Sequence, residues 1–251
     1  MAIIDFANPT RFLRLVHRVL PWLIGITLVL MVIGLYGAAS APDDYQQGAT
    51  VKIMYLHVPS AWLGMMGWAV MSVAALGTLV WRHPLADVAG KAAAPIGAAF
   101  TFICLVTGSL WGRPTWGTYW VWDARLTSML VLLLLYFGVM ALYWTAEDPG
   151  RGSRAAAVLS LVGAINLPII KFSVDWWNTL HQGASIFRPG GPAIAPSMLW
   201  PLLVMAIACT FLFVTLHLAA MRNEILRRRV RTMQLMQAQE LAEQDLAEAA
   251  T

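Results

Sequence analysis

Six stretches of about 20 apolar residues recur along this chain, near 20–40, 59–81, 92–111, 126–145, 155–171 and 197–220, separated by short polar breaks. That pattern restricts the fold more than any other feature, because each stretch is long enough to cross the hydrocarbon core of a bilayer as a helix. Backbone polar groups find no water in lipid, so a crossing segment must bond within itself as a helix or close into a barrel. Period-2 alternation is absent, so the expected fold class is all-α: a polytopic integral membrane bundle of six transmembrane helices with a Trp-rich loop on its outer face. A composition of 59% hydrophobic and 12% charged residues, with a mean hydropathy of +0.65, lies outside the soluble balance.

Lysine and arginine set the expected orientation. With six spans the termini share one side, which carries Arg11, Arg14, Arg18, Arg82, Lys91, Arg151, Arg154, Arg222, Arg227, Arg228, Arg229 and Arg231. The opposite side carries Lys52, Arg113, Arg125, Lys171 and Arg188. Positive charge favours the cytoplasm, so both termini are expected there and the loops 41–58, 112–125 and 172–196 outside. Residues 1–221 read as the membrane domain and 222–251 as a charged cytoplasmic tail that continues as a helix beside lipid headgroups. The first span is too long for a signal-peptide core and no cleavage pattern precedes it, so the segment is expected to be retained.

Several chemistries are excluded. Cys104 and Cys209 lie in different spans and form no C-x-x-C pair or haem-attachment motif. No phosphate-binding Gly-x-x-x-x-Gly-Lys loop is present, so ATP would be bound by a partner. The basic balance records membrane topology, not nucleic-acid binding. The spans hold almost no ionisable groups, which argues against an ion-coupled pump, although Asn166 with Pro168 could mark a broken helix of the transporter kind. No acid–base or nucleophile constellation stands out.

The outer loops carry the chemistry. The segment 111–125 holds Trp111, Trp116, Tyr119, Trp120 and Trp122. Each could belong to an aromatic belt at the membrane interface. As a group they suit a shelf for a flat apolar ligand, with Gly112, Pro114 and Gly117 expected to break the helix. Asp123 is read first as the N-cap of the fourth span. Arg113 and Arg125 are either interfacial anchors or partners for ligand carboxylates. His57, expected just outside the second span with Pro59 in its first turn, and His181, beside Trp176 and Trp177, flank this loop on the same face. One histidine alone would be structural, but two so placed suit axial ligands of one iron. His17, His83 and His217 fall toward the other face and read as structural.

Three motifs carry a resemblance: Trp-Gly-Thr-Tyr-Trp-Val-Trp-Asp-Ala-Arg-Leu-Thr at 116–127, Tyr-Leu-His-Val-Pro at 55–59, and Trp-Trp-Asn-Thr-Leu-His-Gln-Gly at 176–183. With the 94–97 and 166–170 stretches in register, the chain resembles the CcmC family of cytochrome c maturation proteins, within the haem-handling group named for its tryptophan-rich WWD domain. The resemblance implies a bacterial inner-membrane protein that holds haem b as cargo at the periplasmic face. His57 and His181 would be its axial ligands, and Trp116, Gly117, Tyr119, Trp120, Trp122 and Asp123 would cradle the porphyrin edge. Arg113 and Arg125 would meet the propionates, and Trp176 and Trp177 would add aromatic contacts. The implied partners are the periplasmic haem chaperone CcmE, the small membrane subunit CcmD and the ABC transporter pair CcmA and CcmB. A bis-His cytochrome b-type subunit and a ligand-free scaffold of an ABC transporter are the alternatives.

Overall fold

The computed structural model describes residues 8–146, 148–183 and 185–249. Residues 1–7 of the expected membrane domain and 250–251 of the expected tail lie outside them. The described chain is helical: α1 (Pro9–Ser40), a short 3-10 turn (Ala49–Ile53), α2 (Met54–Leu79), α3 (Pro84–Trp116), α4 (Ala124–Thr145), α5 (Pro149–Gly163), α6 (Asn166–Trp176) and α7 (Pro196–Ala249). Among the described residues six helical segments are long and apolar enough to cross a membrane, α5 and α6 together making the fifth. The all-α expectation is borne out.

Local chemistry sets the helix ends. Asn8 caps α1 by accepting the Thr10 N–H at 2.8 Å, and Pro9 follows at the first helical position, where a missing N–H costs nothing. Asp148 with Pro149 repeats the device at α5. Asp123 caps α4, its Oδ1 accepting the Leu126 N–H at 2.8 Å. At 54 residues, α7 is about 80 Å long at 1.5 Å per residue, so it runs well beyond any bilayer thickness.

The fifth crossing is broken for a reason that the sequence contains. Pro168 has no N–H to offer the Ala164 carbonyl four residues back, and its ring crowds that turn. Ala164 and Ile165 bond instead to carbonyls three residues back, at 3.2 Å each, and Leu167 N–H takes the Ala164 carbonyl at 3.1 Å. The Ser160 carbonyl is thereby left to accept from Trp68 Nε1–H at 3.0 Å, with Ser72 Oγ at 3.1 Å. On the other side of the break, Asn166 donates to the Ser128 carbonyl of α4 at 2.8 Å. The break is thus tied to α2 through the Ser160 carbonyl and to α4 through Asn166, in keeping with a low-dielectric surrounding.

Around that junction lies the core. Trp68, Leu132, Tyr136 and Val139 are fully buried, and Trp68 meets Tyr136 edge to face with ring centroids 4.9 Å apart. A second cluster joins Leu63 and Phe100 to Leu202 and Phe213 of α7, while Thr27 and Thr215 hydrogen-bond at 3.0 Å between α1 and α7. At the basic end an ionic cluster ties α3 to α7: Lys91 to Glu224 at 3.0 Å, and Arg228 to Glu224 at 2.8 Å and to Asp87 at 2.6 Å. The opposite end is left for the loops.

Tyr136 gives a test of the packing. Its hydroxyl donates to the Gly64 carbonyl at 2.7 Å, and its ring lies so close to Gly97 that a Cβ there would overlap it. Gly97→Ala is expected to cost about 1–3 kcal/mol or more through overpacking. Tyr136→Phe, which keeps the ring and loses one hydrogen bond, should cost about 1 kcal/mol. Thermal unfolding in detergent should therefore show the larger fall in midpoint for the alanine variant.

Candidate functional site

At the Trp-rich end, α2, α3, α4 and the loop after α6 enclose a cavity of about 580 Å³, lined by His57, Trp62, Trp111, Trp116, Trp120, Arg125 and His181 over a floor that includes Met54, Met65 and Met129. That size falls within the range of about 300–1,000 Å³ common to small-molecule sites, and the lining follows their pattern of apolar walls with few polar groups.

His57 sits in the first turn of α2. The preceding 3-10 turn runs directly into the helix, so α2 begins at Met54, and Pro59 lies inside it instead of in its first turn. His57 Nδ1 is 3.0 Å from the Cys104 carbonyl and 3.1 Å from Thr107 Oγ1. A carbonyl only accepts, so Nδ1 carries the proton and Nε2 of the neutral ring keeps its lone pair. Trp111 packs its ring edgewise on the imidazole, with centroids 5.7 Å apart, and is held there by donating to Gln47 Oε1 at 2.7 Å.

His181 comes from the loop after α6. Its ring meets Trp116 at 4.8 Å in an edge contact, and its Nδ1 lies 3.9 Å from Asp123 Oδ2, too long for a hydrogen bond. Burial pushes the His181 pKa down to about 4, with the Arg125 cation adding to the effect and Asp123 opposing it. The ring is neutral at pH 7.

Arg125 lines the cavity from the first turn of α4, its Nε donating to Ser173 Oγ at 2.9 Å and its Nη2 to the Lys171 carbonyl at 3.2 Å. It thus pins α4 to α6. Trp120 presents a buried Nε1–H that has no partner among the described residues.

Other expected site residues fall elsewhere. Helix α3 continues through Gly112 and Pro114 to Trp116, so these two do not break it. Only Gly117 ends it, with φ 79°, a conformation open to glycine without steric cost. Trp111 and Trp116 therefore project from a rigid helix instead of a loop. Arg113 lies outside the cavity lining, bonded to the Gly117 carbonyl and over the Tyr119 ring at 5.6 Å. Tyr119 and Trp122 are exposed. Trp176 and Trp177 are also exposed, Trp176 stacking on Phe172 at 5.4 Å. None of these four aromatic residues lines the cavity. Sequence reasoning missed Gln47 and Trp62, which lie within the 41–58 loop and the second apolar span and carried no local signal.

Fold and cavity together define a polytopic helical membrane protein that presents two imidazoles and a wall of indoles to one pocket. A family model described as Heme exporter protein C matches residues 2–236. The chain is 73% identical over 242 residues to Heme exporter protein C of Bradyrhizobium diazoefficiens, covering 96% of this chain and 92% of that protein. It is 50% identical over 223 residues to the Escherichia coli K12 protein of the same name, covering 88% and 90%. With the Paracoccus denitrificans protein it shares 43% over 231 residues, covering 92% and 96%. The chain belongs to the heme exporter protein C family.

The His181 environment predicts its own titration. Selectively labelled histidine observed by NMR should show this ring protonating near pH 4 instead of the usual value of about 6.5. Between those two values the unfolded chain binds the proton and the folded one does not, so stability should fall as pH is lowered through that window.

Proposed function

We propose that this protein binds haem in the cavity between His57 and His181 and delivers it to the periplasmic haem chaperone CcmE during cytochrome c maturation. One observation carries the reading: two histidines from separate elements line one apolar cavity, and the Nδ1 of His57 is held on a main-chain carbonyl, the arrangement that frees Nε2 for a metal. Haem, here haem b, is cargo. The cavity suits it, with indole rings for the macrocycle and a guanidinium, that of Arg125, for a propionate.

The chain's own contribution is orientation. The His57 ring is fixed by its carbonyl and by Trp111, Trp116 braces His181, and Trp120 offers an indole N–H toward the cargo. In this reading the binding geometry does the work. The exposed Tyr119 and Trp122 lie beside the cavity, where they suit a docking chaperone or the lipid interface.

The wider setting belongs to the same proposal. The haem exporter family and the distribution of arginine support an inner-membrane location, with cytoplasmic termini and a periplasmic cavity. Residues 1–221 form the membrane domain and 222–251 the cytoplasmic tail. The small subunit CcmD and the transporter pair CcmA and CcmB are the remaining partners, the latter supplying the ATP chemistry this chain lacks.

The test is the visible absorption spectrum of the detergent-purified protein, oxidised and reduced, beside His57→Ala and His181→Ala. A six-coordinate low-spin haem in the parent that loses one ligand in either variant supports the site, and spectra unchanged by both substitutions overturn it. Failure of either variant to load CcmE supports delivery. Normal loading by both argues against it.

Gly108 gives a second test at the same site. A Cβ there would lie 2.8 Å from His57 Cε1, and the ring has little freedom to retreat between the Cys104 carbonyl and Trp111. Gly108→Ala is expected to weaken haem retention toward the level of His57→Ala while leaving thermal unfolding of the apoprotein within about 1–3 kcal/mol of the parent.

A further inference from the structure

Asp123 has two carboxylate oxygens with different fates. Oδ1 caps α4 by accepting the Leu126 N–H at 2.8 Å. Oδ2 is buried and has no hydrogen-bond partner among the described residues, and neither does the buried His181 Nδ1 that lies 3.9 Å away. The Asp123 side chain is 5% exposed. An unpaired carboxylate oxygen so deeply buried is costly. Two orphaned groups of complementary type, facing each other within an ångström of bonding distance, form a contact waiting to close.

The two histidines also differ in what holds them. The His57 acceptor is a main-chain carbonyl on a packed helix, already within hydrogen-bond distance. The His181 ring stands on a loop, and its acceptor is a side chain fixed by its own capping bond. The cap prevents Asp123 from swinging away, so any small shift of the loop toward α4 completes the pair.

Resting on the site proposed above, we infer that Asp123 is the positioning residue for His181: Oδ2 accepts the Nδ1–H when haem is bound, holding the proton on Nδ1 so that Nε2 keeps its lone pair for iron. The porphyrin itself is not what Asp123 touches. With the proton on Nδ1 and the lone pair on Nε2 given to iron, the ring is neutral and the contact is a carboxylate–imidazole hydrogen bond. Such a bond makes the imidazole a stronger donor to the metal.

Asp123→Asn separates this role from capping. Asparagine caps helices as well as aspartate does, so α4 keeps its Leu126 bond. The amide then turns an N–H donor toward His181 Nδ1, and the ring answers by moving its own proton to Nε2, which removes the ligand lone pair. The haem-loaded variant is expected to resemble His181→Ala: five-coordinate, high-spin ferric haem held through His57, returned to six-coordinate low spin by added imidazole. Haem retention should fall about ten- to a hundred-fold, as for outer-shell partners of metal ligands generally. Asp123→Glu, which keeps a carboxylate and gives up the short capping geometry, should retain the low-spin signal.

An asparagine variant with the parent's six-coordinate spectrum overturns the inference, since capping alone then explains Asp123. Loss of the His57 bond together with that of His181 overturns it too, because the effect would not act through His181. A parent protein that holds no bis-imidazole haem defeats the site reading itself, an outcome visible before either Asp123 variant is made.

Discussion

No water reaches a backbone amide in the hydrocarbon core, so every N–H and C=O there must find a partner in the protein. Uninterrupted helices meet that demand by themselves, whereas the fifth crossing is divided into α5 and α6 where Pro168 intervenes. The division is tolerated because Trp68, Ser72 and Asn166 take up or span what the helix drops, from α2 and α6. These bonds fasten the broken crossing to α2 and α4. Since α2 carries His57, α4 carries Arg125 below its Asp123 cap, and α6 leads into the His181 loop, the repair also sets the spacing of the site. A proline that weakens one helix thus becomes the reason three elements keep a fixed relation.

The same demand explains why the cavity lies at a helix end. Near the middle of the bundle, close packing of Trp68, Tyr136 and the Gly67–Gly97 contact leaves no room for a ligand. At the Trp-rich end the helices terminate at Gly117 and Trp176 and begin at Asp123, so side chains replace backbone as the wall. The basic end is closed in another way, by the Lys91–Glu224–Arg228–Asp87 cluster. Of the bundle's two ends, therefore, one is locked by charge and the other is shaped by aromatic rings.

Much of this was legible in the sequence, because lipid exposure imposes length and apolarity that survive as plain composition. The six crossings, the capping role of Asp123 and the grouping of His57 with His181 all followed from signals within a few residues. What stayed hidden depended on contacts between distant segments. Nothing near Gln47 reveals that it holds Trp111, and Trp62 looks like any residue of an apolar span. Gly112 and Pro114 misled because both weaken helices intrinsically, whereas Pro114 sits in the last turn of a helix that only Gly117 ends and Gly112 is buried beneath the Trp116 ring. Tyr119, Trp122, Trp176 and Trp177 share the composition of the cavity wall but not its direction, and direction is set by where the helix stops.

A protein that hands on its cargo must hold it firmly enough to orient it and loosely enough to release it. On the function proposed above, the two imidazoles would divide that requirement between them. His57 is fixed by a helix, a carbonyl and a braced indole, and so in the proposed site would define where the iron sits. His181 rides on a loop, and Asp123 stands just beyond bonding distance, so in the proposed site the strength of the second iron bond would follow the position of the loop. A chaperone that engages the adjoining exposed rim could shift the loop and loosen one ligand without disturbing the other. Tight binding and release are then compatible, because they are assigned to structures of different stiffness.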